Sequence, residues 1–228
     1  MANSKNKITA AAETLITCLF EMAEANTNPV LQVINPDTPL EENKKYPADF
    51  LQFNQLGWRA YYHCHPASRA GNHRFSGEHG HFHIFVRVED DPEKWSHLAA
   101  LAMDNMGQPL GWFSVNHWVT GESWASADVL TKKLDSIPLI LSDSGENSPP
   151  NNEQDDLQLL FLRTERWLLA FLALSADKIK LLLQQRDEVL SEKQKEHTSM
   201  EIKTDKSLYL LSEIPVNIKE LLHVDGKS

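Results

Sequence analysis

The stretch GWRAYYHCHPASRAGNHRFSGEHGHFHIFVRV, residues 57–88, holds six of the ten histidines of this chain. Their spacing carries more information than their number. Along a β-strand, residues i and i+2 share a face about 6.6–6.8 Å apart. In residues 57–65 this puts Arg59, Tyr61, His63 and His65 on one face and Trp58, Ala60, Tyr62 and Cys64 on the other. In residues 79–89 it aligns His79, His81, His83, Phe85 and Arg87 against the apolar set Phe82, Ile84, Val86 and Val88. An apolar face opposite a polar one is the pattern of a half-buried strand. Between the two runs, Pro66, Ser68, Gly71, Asn72 and Gly77 supply turn residues. If the strands pair through this loop, both rows of imidazoles line one pocket.

Outward from this core, residues 8–25 read as an amphipathic helix, with Ile8, Ala12, Leu15, Leu19 and Met22 on one side. Residues 26–47 carry four prolines and read as loop with one short strand, VLQVI. PADFLQFNQLG reads as a short helix stopped by Gly57. After the second strand, EDDPEKWSHLAALAMDNMG has a helix signature: Asp91 as cap, Pro92 in the first turn, Gly107 as stop. PLGWFSVNHWVTGESW alternates as a third strand, giving a β-β-α-β unit, and SWASADVLTKKL reads as a helix. Residues 141–156, LSDSGENSPPNNEQDD, form an acidic polar linker or mobile loop. Residues 157–197 read as one long helix or two, broken at Ser175 and Asp177. The tail has a short apolar segment, a break at Pro215 and a last helix.

The expected class is α+β: a small antiparallel sheet with a histidine-rich face, flanking helices and a mostly helical C-terminal half. The expected divisions are an α+β domain over 1–140, the linker, and a helical region over 157–228 packed on the same domain. A net charge of −10 argues against nucleic acid, whose phosphates call for a basic surface. Two cysteines, Cys18 and Cys64, make no disulfide framework, and no signal peptide is evident, so the expected compartment is the cytoplasm. No run of 18 uncharged apolar residues occurs, so no membrane span is expected. The apolar helix at 157–174 is expected to pack on the sheet or on a second copy in a homodimer.

Several converging imidazoles suit a transition metal ion. The candidate ligands are His63, His65, His81 and His83, with Zn or Fe the leading ions. Glu78 and Tyr61 are candidate catalytic residues, and Glu122 is a second carboxylate within reach. Arg59 and Arg87 share the histidine face, where they can hold an anionic small-molecule substrate or a carboxylate partner. His79 belongs at the mouth of the pocket and His73 on the surface. His97 reads as structural on its helix and His117 as a core residue of the third strand. Trp112, Trp118 and Trp124 read as core or pocket wall.

Two short patterns resemble known families. Gly57, five residues and then His63-x-His65 resembles the opening of the cupin metal motif, which implies a metal site. The acid that motif expects next is absent, since Arg69 and Ala70 stand there. HGHFHIF, residues 79–85, resembles the His-φ-His-φ-His-φ-φ motif of the histidine triad family of nucleotide hydrolases and transferases. That resemblance implies His81 as a nucleophile on phosphorus, with His79 and His83 holding its proton and the phosphate. Three functions stand open: a metal-binding protein with hydrolase or oxygenase chemistry, a metal-free histidine phosphohydrolase or transferase, and a structural or interaction protein with incidental histidines.

Overall fold

The computed structural model describes residues 2–34, 40–53, 57–65, 75–88, 91, 93–135, 137 and 153–222. In order the elements are α1 (Ala2–Glu24), β1 (Tyr46–Phe53), β2 (Trp58–Cys64), β3 (Glu78–Arg87), β4 (Trp95–Asp104) and β5 (Pro109–Val115). Then come α2 (His117–Thr120), α3 (Ala127–Leu134), α4 (Glu153–Leu174), α5 (Ala176–Lys193), α6 (Ser199–Thr204), β6 (Leu210–Pro215) and α7 (Ile218–Leu222). The strands form one antiparallel sheet in the order β1-β2-β3-β4-β5-β6, so the fold is α+β. His73, Arg69, Ala70 and linker residues 141–152 lie outside the described residues. Residues 153–156 open α4.

The period-two alternation of β2 and β3 is realised in their pairing, which sets Tyr61 opposite His83 and His63 opposite His81. Trp58, Ala60 and Tyr62 of β2 and Phe82, Ile84 and Val86 of β3 face the main core. Leu15 and Met22 of α1, Trp167 and Phe171 of α4 and Leu182 of α5 close it from above. Trp167 and Phe171 stack at 5.4 Å with their planes 7° apart. Trp167, Leu168, Ala170, Phe171, Leu172 and Ala173 of this helix are buried inside the chain, while Leu162 is 39% exposed. The opposite face carries the imidazoles, with one aromatic group (Tyr61, Phe85, Trp95) and one small-residue group (Ala100, Ala102, Phe113, Val115) beside them.

Four sequence expectations give way to the structure. Residues 95–104 are a central strand, not a helix, so the first five strands run as a meander in place of a β-β-α-β unit. Alanine, leucine and methionine favour helix only as a weak prior, which tertiary context overrides. Here β4 is paired on both sides, and nearly every side chain is buried. PADFLQF is edge strand β1 rather than a helix, with its register broken between Tyr46 and Leu51. VLQVI forms turns, where Asn28 Oδ1 accepts from the Val30 and Leu31 amides. The third strand ends at Val115. There Asn116 caps the short α2, and Gly121 ends it with φ 68°.

Gly80 is a tight point of the sheet. A Cβ there would stand 2.5 Å from the Tyr62 hydroxyl and against the His63 carbonyl oxygen. Backbone cannot yield as a flexible side chain can, so Gly80→Ala is expected to cost about 1–3 kcal/mol. Guanidinium unfolding of the variant and parent measures this, and coincident curves would refute the close approach.

Candidate functional site

Two β-bulges decide which polar residues reach the histidine face. Glu78 opposes Asp104 while Gly80 opposes Met103, so β3 carries one extra residue, His79. A bulge reverses the alternation beyond it. Glu78 thereby joins the face of His81. His79 turns to the other side, where its Nδ1 lies 2.6 Å from the Tyr62 hydroxyl and its ring stacks on Tyr62. The missing side chain at Gly80 leaves room for that hydroxyl. The expectation that His79 shares the face of His81 and His83 is corrected accordingly. The second bulge lies in β4. Ile84 opposes Ala99 and Phe85 opposes His97, which makes Leu98 the extra residue and brings His97 round to the histidine face.

The space for the rings comes from β4 as well. Ala102 pairs with His81 and Ala100 with His83, so no bulky neighbour on that strand competes for the volume. Phe113 of β5 closes this side, 4.9 Å from His81 ring to ring.

Three imidazoles converge. His63 Nε2 is 2.6 Å from His81 Nε2, which is 3.1 Å from His83 Nε2. One nitrogen from each lies within 4.8 Å of the others, so the three can hold a metal ion. Zinc binds histidine nitrogen at about 2.0–2.1 Å, which sets tetrahedral ligands about 3.3–3.4 Å apart. His81 and His83 are 1% exposed, and His63 is partly exposed. Each buried ring has a polar partner on its far nitrogen. His81 Nδ1 lies 2.8 Å from Glu78 Oε1, and His83 Nδ1 lies 2.9 Å from His97 Nε2. With Nε2 as the binding atom, Nδ1 carries the proton and donates to these partners.

Burial and like charge disfavour protonation at His63, His83 and His97. Burial, then repulsion from His81 and His65, lowers His63 to about 2. Burial followed by repulsion from His81 and His97 holds His83 well below its ordinary value. Burial and the charge of Arg186 lower His97 to about 3.

The other anticipated residues fall around this centre. The His65 ring is 4.8 Å from His63 and 5.1 Å from His81, beside the tight group of three. Tyr61 stacks on Phe85 and lies 5.3 Å from the His83 ring. Burial, then the charge of Glu122, pushes its hydroxyl up to about 12, so it holds its proton through neutral pH. Glu122 pairs with Arg59 at 2.7 Å. Arg87 lies over Trp95. His117 opens α2, correcting its placement on a third strand, and Trp118 Nε1 donates to the Leu208 carbonyl. Trp112 is core, and Trp124 lies under the Arg186 guanidinium. His97 was hidden from sequence reasoning because its segment reads as helix and nothing in the sequence marks a bulge.

These shifts give stability a pH dependence. A histidine depressed in the fold stays neutral there while the unfolded chain takes up a proton near 6.5. The contribution is complete above 6.5 and is lost as pH falls toward the folded values. Unfolding free energy is expected to drop by about 1.4 kcal/mol per pH unit for each such group below 6.5. Urea titrations at pH 7.5, 6.0 and 5.0 measure it, and a flat profile would contradict neutral burial.

Comparison with curated proteins and with solved structures finds no match. A family model described as a domain of unknown function, DUF6969, matches residues 9–216, a span that takes in all six strands and the whole histidine cluster. The chain belongs to that family.

Proposed function

We propose that this protein binds one transition metal ion through His63, His81 and His83 and uses it in hydrolysis, with zinc as the ion. The observation that carries this reading is the convergence of three Nε2 atoms, two of them on rings whose far nitrogens are already occupied by Glu78 and His97. Oriented ligand histidines have this arrangement, and the outer partner fixes the tautomer and raises ligand basicity. Neutral imidazoles are also the form that binds metal. Three histidines with a further position left for water or substrate form a known catalytic zinc set. Non-haem iron oxygenases commonly add a carboxylate to two histidines. Here Glu78 is engaged at the outer nitrogen of His81, not among the Nε2 atoms. A bound zinc ion supplies Lewis acidity and lowers the pKa of water.

The chain's own groups then have separate tasks. Glu78 and His97 hold the ligand rings in register. Tyr61, Phe85 and Phe113 wall the cluster with apolar surface. His81 and His83 are buried while His63 and His65 are partly exposed, so substrate approaches from the His63 and His65 side. A metal-free nucleophile at His81 is less well supported. That scheme needs His79 and His83 both beside it, and His79 is across the sheet on Tyr62. Incidental histidines are a poor account of His81 and His83, because buried polar groups carry a desolvation cost that a mere surface residue escapes.

Elemental analysis of tag-free protein, purified without added metal or chelator, is expected to find about one equivalent of zinc per chain. The double variant His81→Ala/His83→Ala is expected to lose it while keeping the parent's circular dichroism. Undiminished metal in that folded variant would refute the site. Glu78→Gln keeps the shape and removes the charge, and it is expected to weaken metal affinity about 10–100-fold. Competition with a chromogenic chelator reads that loss, and parent-like affinity would deny Glu78 its role.

A further inference from the structure

The substrate side of this centre has a chemical character of its own, and the inference from it rests on the metal reading above. Lys45, an exposed residue just before β1, extends its Nζ over two rings at once, 4.9 Å from the centre of Phe50 and 4.8 Å from that of Tyr61. Tyr61 in turn touches the rings of His63 and His83, at 5.8 and 5.3 Å.

Phe50 is placed for this by an unusual backbone. Its φ is 63°, at the register break of β1, a conformation bulky residues rarely adopt. The ring so placed meets Tyr61 edge-on at 5.3 Å and takes Arg59 over it at 4.4 Å. The two rings therefore hold the lysine at the rim instead of leaving it to swing in solvent.

The neighbouring cations differ. Arg59 is neutralised by Glu122 at 2.7 Å. Lys44 is paired with Glu41 at 2.6 Å and is exposed. Arg87 lies over Trp95, four residues past His83, or about 13 Å along the strand. Among the described residues Lys45 forms no ion pair, and its contact with Tyr61 sets it beside the partly exposed His63. In a chain of net charge −10, an uncompensated cation held over the approach to a metal centre is a specific local inversion of sign.

We propose that Lys45 anchors an anionic oxygen, from a carboxylate or a phosphate, beside the ion held by His63, His81 and His83, and that the substrate of this centre is a small anion.

The test uses the full chain loaded with cobalt(II), whose visible spectrum reports its ligands. Acetate and inorganic phosphate are titrated separately into the parent and into Lys45→Gln, Lys45→Arg and Lys44→Gln. The expected result is that at least one anion shifts the cobalt bands. Lys45→Gln then weakens its binding about fivefold, the scale of one partly exposed charge. Lys45→Arg and Lys44→Gln stay near the parent, and rising salt removes the difference. The anion that responds tells carboxylate from phosphate. One cobalt bound but no dependence on Lys45 for either anion, or no spectral response to either, overturns the anion site and leaves the metal reading intact. A chain that takes up no cobalt overturns both.

Discussion

Two imidazoles with almost no solvent contact, His81 and His83, need other polar atoms to meet their nitrogens, and much of this structure is arranged to provide them. A buried histidine has two nitrogens and therefore two obligations. Here the inner nitrogens meet one another and His63, while the outer ones meet Glu78 and His97. Each partner comes from a different device: strand pairing for His63, one bulge for Glu78 and another for His97.

The sheet looks conventional on one side and specialised on the other. Its helix-covered face is filled with tryptophan, phenylalanine and aliphatic side chains, the usual dense core. The opposite face replaces bulk with alanine where the rings need room, at Ala100 and Ala102. Glycine plays a similar part at Gly111, where any Cβ would run into the Phe75 ring. The central strands are thus read twice: as ordinary core by the helices, and as a cavity mould by the imidazoles. The last strand, β6, is contributed by the C-terminal region, so the sheet is complete only when both ends of the chain are folded together. Among the described residues no helix is long and apolar enough to cross a membrane.

Residue order alone set the pair of strands and their inward faces, because side-chain alternation is a local property of an extended chain. It also determined which rings could converge, since His63 and His65 share parity on one strand and His81 and His83 on the next. The helical run over 157–197, read as one helix or two with a break offered at Ser175 and Asp177, was legible for the same reason. Tertiary structure decided the rest. Whether Trp95–Asp104 is helix or strand depended on an open position between β3 and β5, which outweighs the helix preference of its alanines. The exchange of His79 for Glu78, and the arrival of His97, depended on one extra residue in each of two strands. A bulge shifts parity through its pairing with the neighbouring strand, and that relation exists only once the sheet has formed.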